Sequence, residues 1–166
     1  MNKTELQIAI QGVRASFHDV AARKYFGPLQ VNAVECSSFP ILCKALDNGN
    51  ADYAMMAIEN TIAGSILPNY SLLQSYGFKI LGETYLRIEM SIMALPGQAL
   101  SDIHFVQSHP MAILQCQDFL STLSNIKIVE ASDTAESALE IQKRSLTNYA
   151  AIASSLAAET YGLQIL

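Results

Sequence analysis

The chain has 166 residues, 51% of them hydrophobic and 15% charged, and a formal net charge of −5. So apolar a chain excludes intrinsic disorder, and the acidic balance excludes a nucleic-acid partner, which needs a basic face. No apolar run approaches the ~20 residues that a membrane helix requires, which excludes a membrane-spanning class.

A chain of this size fits one domain or two small lobes. Residues 6–11 are predicted to form a first strand, closed by Gly12. Ser16, with Asp19 three residues on, resembles a capping box that opens a helix to about Tyr25. Gly27-Pro28 breaks that helix, and residues 30–35 alternate as a strand. Ser38 is a predicted N-cap, with Pro40 in the first turn and Gly49 past the end. Residues 53–58 form a continuous apolar run, as expected of a strand covered on both faces. Residues 68–76 read as a helix ended by Gly77.

Residues 79–95 are long, β-branched and interrupted by Arg87 and Glu89; they read as two strands, or as one strand crossing between lobes. Pro96-Gly97 turns the chain. A second cycle follows: strand 103–107, helix 111–123, strand 126–131, helix 134–144, strand 149–153 and helix 156–161. The stretches 50–58 and 147–153 occupy matching places in the two cycles. Strand–helix alternation predicts parallel sheets with right-handed crossovers. The expectation is an α/β protein of two lobes, 1–86 and 87–166, joined near residues 79–89 and enclosing a ligand cleft.

Polar groups gather where the apolar strands stop, which is where open α/β sheets bind ligands. Glu59 and Asn60 offer a carboxylate and a carboxamide to the cleft, or else cap the next segment. Ser108 stands at a helix start, either as part of an anion site or as an ordinary N-cap. His109 is either a general acid or a structural histidine. Gln115 and Cys116 follow about two turns into the same helix, and Asp133 alone suffices to cap the helix that Thr134 begins. His18 and His104 are isolated. The three Cys and three His lack zinc-ligand spacing. There is no Gly-x-Gly-x-x-Gly or Walker loop for a nucleotide cofactor and no nucleophile elbow. Met1 to Leu6 are not followed by a long apolar segment, so no secretion signal is expected. Cys36, Cys43 and Cys116 lack Cys-x-x-Cys spacing, which predicts reduced thiols in a cytoplasmic protein.

Several segments, in order, resemble the prephenate dehydratase domain. That family's Gly-Pro-x-Gly-Thr-Phe-Ser is similar to the stretch from Gly12 to His18. Its Pro-Ile-Glu-Asn-Ser-x-x-Gly resembles the stretch from Ala57 through Ile58, Glu59, Asn60 and Thr61 to Gly64. Its Ser-His-Pro-Gln-Ala-Leu-x-Gln-Cys is similar to the stretch from Ser108 to Cys116, and its Ser-Thr-Ala signature to Ser132-Asp133-Thr134-Ala135. The closing Ala-rich strand and Tyr161-Gly162-Leu163 complete a likeness over residues 8–166.

The resemblance implies a two-lobed fold like the type II periplasmic binding proteins, with the active site in the cleft. It implies a lyase that converts prephenate to phenylpyruvate in phenylalanine biosynthesis, without a cofactor or metal. The implied substrate-binding residues are Ser16, Glu59, Asn60, Thr61, Ser108, Gln115 and Thr134, with Glu59 and His109 as candidate acids. A homo-oligomer is implied for the full-length enzyme. The chain departs from the pattern at Val13, Ala15, His18, Ala57 and Met111, where the family prefers proline, glycine, serine, proline and glutamine. It also contains no Thr-Arg-Phe, the family motif expected beyond Leu166 on a strand returning to the first lobe, and no ACT regulatory segment. The expectation is that residues 1–166 alone turn prephenate over poorly. The alternative is a non-catalytic module of the same fold that binds a small carboxylate.

Overall fold

A computed structural model describes residues 5–27, 30–61 and 64–166. Pro28 of the expected helix break, and Ile62 and Ala63 of the Glu59-to-Gly64 motif, lie outside the described residues. The chain is α/β and divides into two compact units, Met1–Leu86 and Arg87–Leu166.

The first unit holds β1 (Glu5–Gln11), β2 (Gln30–Cys36) and β3 (Tyr53–Met55), with α1 (Phe17–Phe26), α2 (Phe39–Asp47) and α3 (Leu67–Tyr76). Its three strands are parallel in the order β2-β1-β3, with Ile8 opposite both Ala33 and Tyr53. β1 is central, so its residues are covered on both faces: Ile8 and Ile10 pack with Ala22 and Phe26 of α1. Ala9 faces the other way, toward Leu42 and Cys43 of α2 and Leu72 and Tyr76 of α3. A two-stranded antiparallel hairpin, β4 (Glu59–Asn60) and β5 (Gly64–Ser65), lies between β3 and α3.

The second unit holds β6 (Ser91–Ala94), β7 (Phe105–Ser108), β8 (Lys127–Glu130), β9 (Tyr149–Ala153) and β10 (Gln164–Ile165). Its sheet has the order β10-β6-β9-β7-β8. β7, β8 and β9 are parallel, whereas β6 runs antiparallel to β9 and β10 antiparallel to β6. The expected all-parallel sheet is therefore corrected to a mixed one. One face packs Ile92, Val106 and Ile152 against Ala112 and Leu120 of α4 (Pro110–Gln115) and α5 (Gln117–Ser121). α6 (Thr134–Arg144) packs on β9 and against α7 (Ser155–Tyr161). α6 is built from good helix formers, buries Ala135, Ala138 and Ile141 at helical spacing, and has Glu136 in its first turn and Arg144 in its last, matching the helix dipole.

Three further expectations change. The 79–95 strand shrinks to β6, and residues 78–90 take no regular structure, because among the described residues none supplies the ladder that their N–H and C=O groups need. The expected 111–123 helix is two short helices, because the Cys116 N–H is shared between the Ala112 and Ile113 carbonyls and the ladder slips there. The 53–58 strand ends at Met55 and is half-buried, because among the described residues β3 pairs on one side only, with β1.

Candidate functional site

In the first unit, β1 ends in the loop 12–16. The Gly12 N–H donates to the Cys36 carbonyl at 2.8 Å, which closes the loop against β2. Ala15 is buried with φ +67, and its N–H donates to Asp19 Oδ2 at 2.8 Å. Ser16 is the N-cap of α1, as expected. Its Oγ accepts the Asp19 N–H at 3.4 Å and donates to the Gln11 carbonyl at 3.4 Å. Asp19 is wholly buried. Its Oδ1 lies 3.0 Å from Arg23 Nε, an ion pair outside hydrogen-bonding geometry.

His18 stacks edge-on against Phe39, with ring centroids 5.5 Å apart. Its Nε2 is sealed from water and has no hydrogen-bond partner among the described residues. Burial lowers the imidazole pKa from 6.5 to about 4, and a hydrogen bond to the Gln11 backbone offsets part of that shift.

Glu59 and Asn60 form β4, with Glu59 exposed and Asn60 half-buried, and exposed Thr61 follows in the turn. The hairpin is tied at its base, where the Ile66 N–H donates to the Ile58 carbonyl at 2.9 Å. Asn69, in the first turn of α3, is buried and donates from Nδ2 to the Ala57 carbonyl at 2.7 Å. Sequence reasoning missed Asn69; the signal was the Pro68-Asn69 pair at a helix start, a favoured place for a side chain that bonds backbone.

In the second unit, Ser108 ends β7 and is wholly buried. Its Oγ donates to the Ile152 carbonyl of β9 at 2.6 Å, and its own carbonyl accepts the Ala131 N–H at 2.9 Å. The helix cap expected at Ser108 is corrected to His109, whose Nδ1 accepts the Met111 N–H at 3.2 Å. The reason is that Ser108 still belongs to the strand and its hydroxyl is committed to the neighbouring strand. With Nδ1 accepting, the neutral His109 ring carries its proton on Nε2.

Thr134 begins α6 half-buried, and Asp133 caps it as expected: Oδ1 accepts the Ala135 and Glu136 N–H groups at 2.8 and 3.0 Å. Burial raises the Asp133 pKa, while these two N–H groups and nearby His109 pull it down. His109 and Asp133 thus sit within electrostatic reach, so the ends of β7 and β8 bring the Ser108–His109 and Ser132–Thr134 segments together. Gln115 closes α4 about a turn and a half from His109. Ser154, one of the polar strand ends, follows β9 and caps α7 by accepting the Ala157 N–H at 3.2 Å. Among the described residues no three His, Cys, Asp or Glu side chains gather as a metal site. No described helix is long and apolar enough to cross a membrane.

Residues 8–166 match the family profile described as prephenate dehydratase. The chain belongs to the prephenate dehydratase family. It is 37% identical over 167 residues to arogenate dehydratase/prephenate dehydratase 6, chloroplastic, of Arabidopsis thaliana, covering 100% of this chain and 40% of that protein. Among solved structures it is similar to prephenate dehydratase from Arthrobacter aurescens in complex with L-Phe, with TM-score 0.85 and 27% identity over 97% of this chain and 54% of that one. It is also similar to GqqA, described as a novel type of quorum quenching acylase, with TM-score 0.86 and 32% identity over 96% of this chain and 57% of that one. This family member therefore spans well under two thirds of the length of the relatives that it matches. The α/β fold class read from its sequence is that of the prephenate dehydratase structure.

Proposed function

We propose that this chain is part of a prephenate dehydratase and takes prephenate to phenylpyruvate. In that reaction the bond to the ring carboxylate breaks and its electron pair enters the ring. The ring hydroxyl leaves, takes up a proton and departs as water, with carbon dioxide as the other product. Aromatisation supplies the driving force, so the protein must hold two carboxylates and deliver one proton. An acidic chain has to do this with local donors rather than with its overall field.

The observation that carries the reading is the extent of the family match: residues 8–166 take in every polar strand end described above. Ser16, Glu59, Asn60, Thr61, Gln115 and Thr134 are assigned to substrate binding, and Ser108 to the turn from which His109 projects. Glu59 and His109 are the two candidate acids; His109 would act as the imidazolium, giving up the Nε2 proton and forgoing in that form the Met111 N–H bond that the neutral Nδ1 accepts. We place the protein in the cytoplasm, in keeping with the free thiols of Cys36, Cys43 and Cys116, and as a homo-oligomer in its full length on the family resemblance alone.

The test is phenylpyruvate formation near neutral pH by the protein expressed from its complete reading frame, measured against spontaneous breakdown of prephenate. A rate no faster than breakdown would sink the reading. His109→Gln should lower kcat by roughly 10²–10⁴ if His109 is the acid. Because the Arabidopsis relative is named for arogenate as well, arogenate is run in parallel. Turnover of arogenate alone would move the substrate from the keto acid to the amino acid. The likeness to GqqA does not bring an acylase reading with it, since a shared fold does not fix a reaction.

A further inference from the structure

We infer that Asp19 is a positioning residue: it holds Ala15 in the left-handed region and so fixes the loop 12–16 for substrate binding. The inference rests on the prephenate dehydratase reading of Ser16. Residue 15 stands where the family prefers glycine, and it is alanine here. Its φ of +67 is a conformation that a Cβ disfavours, and Ala15 is wholly buried, so the loop can neither relax into solvent nor leave its N–H unpaired.

One side chain answers both demands. Asp19 Oδ2 accepts the Ala15 N–H at 2.8 Å, a charge-assisted bond. A usual capping box would send this carboxylate to the Ser16 N–H. That N–H instead donates to the Val13 carbonyl at 3.0 Å, and the carboxylate reaches one residue further back. The Asp19 N–H in turn donates to Ser16 Oγ at 3.4 Å, so the same residue orients the serine hydroxyl. Arg23 Nε, 3.0 Å from Oδ1, holds the carboxylate from one turn along the helix, with Asp19 at 0% and Arg23 at 35% exposure. A carboxylate buried this deeply is a poor way to gain stability alone, because desolvation offsets much of the attraction. Its placement is accounted for by the loop geometry that it enforces.

The experiment uses the protein from its complete reading frame, with steady-state kinetics on prephenate and thermal melts. Asp19→Ala should raise KM about tenfold while kcat changes less than about threefold, because a misplaced binding loop weakens substrate capture more than chemistry. Adding Ala15→Gly to Asp19→Ala should bring KM back to within about threefold of the wild type, since glycine adopts positive φ without help. A folded Asp19→Ala protein with the wild-type KM would overturn the inference. So would a double variant whose melting temperature recovers while KM does not, and so would failure of both variants to fold, because either assigns Asp19 to stability alone. A wild-type protein that turns over neither prephenate nor arogenate sinks the functional reading and this inference together. Turnover by the wild type with unmoved variants sinks only the latter.

Discussion

Tyr76-Gly77-Phe78-Lys79-Ile80-Leu81 and Tyr161-Gly162-Leu163-Gln164-Ile165-Leu166 are nearly the same sequence, one in each unit. Both follow a helix closed by a glycine at φ +65, and both make the same closing bond: Phe78 N–H to the Leu73 carbonyl at 3.1 Å, Leu163 N–H to the Ala158 carbonyl at 2.9 Å. The fates then part. Gln164 and Ile165 become β10 against β6, and the Leu166 N–H donates to the Ile92 carbonyl at 3.0 Å. Lys79, Ile80 and Leu81 form no strand, and Ile80 and Leu81 are 64% and 71% exposed. The same contrast separates β9, which pairs on both sides, from β3, which among the described residues pairs only with β1. Equal local propensity gives unequal structure because a strand is completed by its neighbour's N–H and C=O groups, not by its own residues.

The comparison can be broken most directly by truncating one isoleucine in each unit. Ile152→Ala, at 2% exposure in β9, should cost about 3 kcal/mol by urea denaturation, whereas Ile80→Ala should stay within about 0.5 kcal/mol. A comparable loss at Ile80 would mean that residues 79–81 are packed after all.

Acid should distinguish the units next. His18 titrates at about 4 in the folded first unit against an ordinary 6.5, so protonation opposes folding. Its contribution is complete above about pH 6.5 and is lost as pH falls through about 4; allowing for partial exposure of the residue, it is on the order of 2 kcal/mol. Amide protection factors in the first unit, corrected for the intrinsic pH dependence of exchange, should fall as pH drops through this window, and His18→Gln should flatten that fall. A slope left intact by the substitution would assign the acid sensitivity elsewhere.

A smaller effect belongs to Ser108. Ser108→Ala removes the 2.6 Å bond to the Ile152 carbonyl and leaves that acceptor buried, so about 1–2 kcal/mol should be lost from the second unit's urea transition. An unchanged midpoint would return the Ser108 hydroxyl to the ligand.

The smallest expected effect is in the i,i+4 ion pairs. Arg144→Ala should change stability by less than about 0.5 kcal/mol, because Glu140 and Arg144 are 36% and 65% exposed. The Glu140 carboxyl should stay below its usual range in that variant, since its main cause is the Gln107 side-chain hydrogen bond. An NMR titration that returned Glu140 to the ordinary value would reverse that order of causes. Arg23→Ala, which uncovers the buried Asp19, should cost more than Arg144→Ala.

Much of the second unit was legible in the sequence. The predicted 134–144 helix and 149–153 strand match α6 and β9, and Asp133 caps α6 as read, because a strong cap, a favourable helix composition and an apolar strand all point the same way. The polar strand ends were legible as well, since Glu59, Asn60, Ser108, His109 and Thr134 each follow an apolar run. Less legible were the groups that hold them. Asn69 on the Ala57 carbonyl, Ser108 on the Ile152 carbonyl and Asp19 on the Ala15 N–H each bond backbone that local pattern does not mark as needing a partner.

By itself the sequence determined the alternation of strands and helices, the helix starts at Ser16 and Asp133, the glycine-closed helix ends and the order of motifs that carries the family. All of these are written in propensity, capping chemistry and the spacing of apolar residues, which act over a few positions. Tertiary structure alone decided the β2-β1-β3 order, the antiparallel places of β6 and β10, the half-burial of β3 and the irregular path of residues 78–90. It also decided that the hydroxyl of Ser108 faces a neighbouring strand. Those outcomes depend on which distant backbone groups are present to pair, and hydrogen-bond satisfaction across a sheet is a property of neighbours in space rather than in sequence.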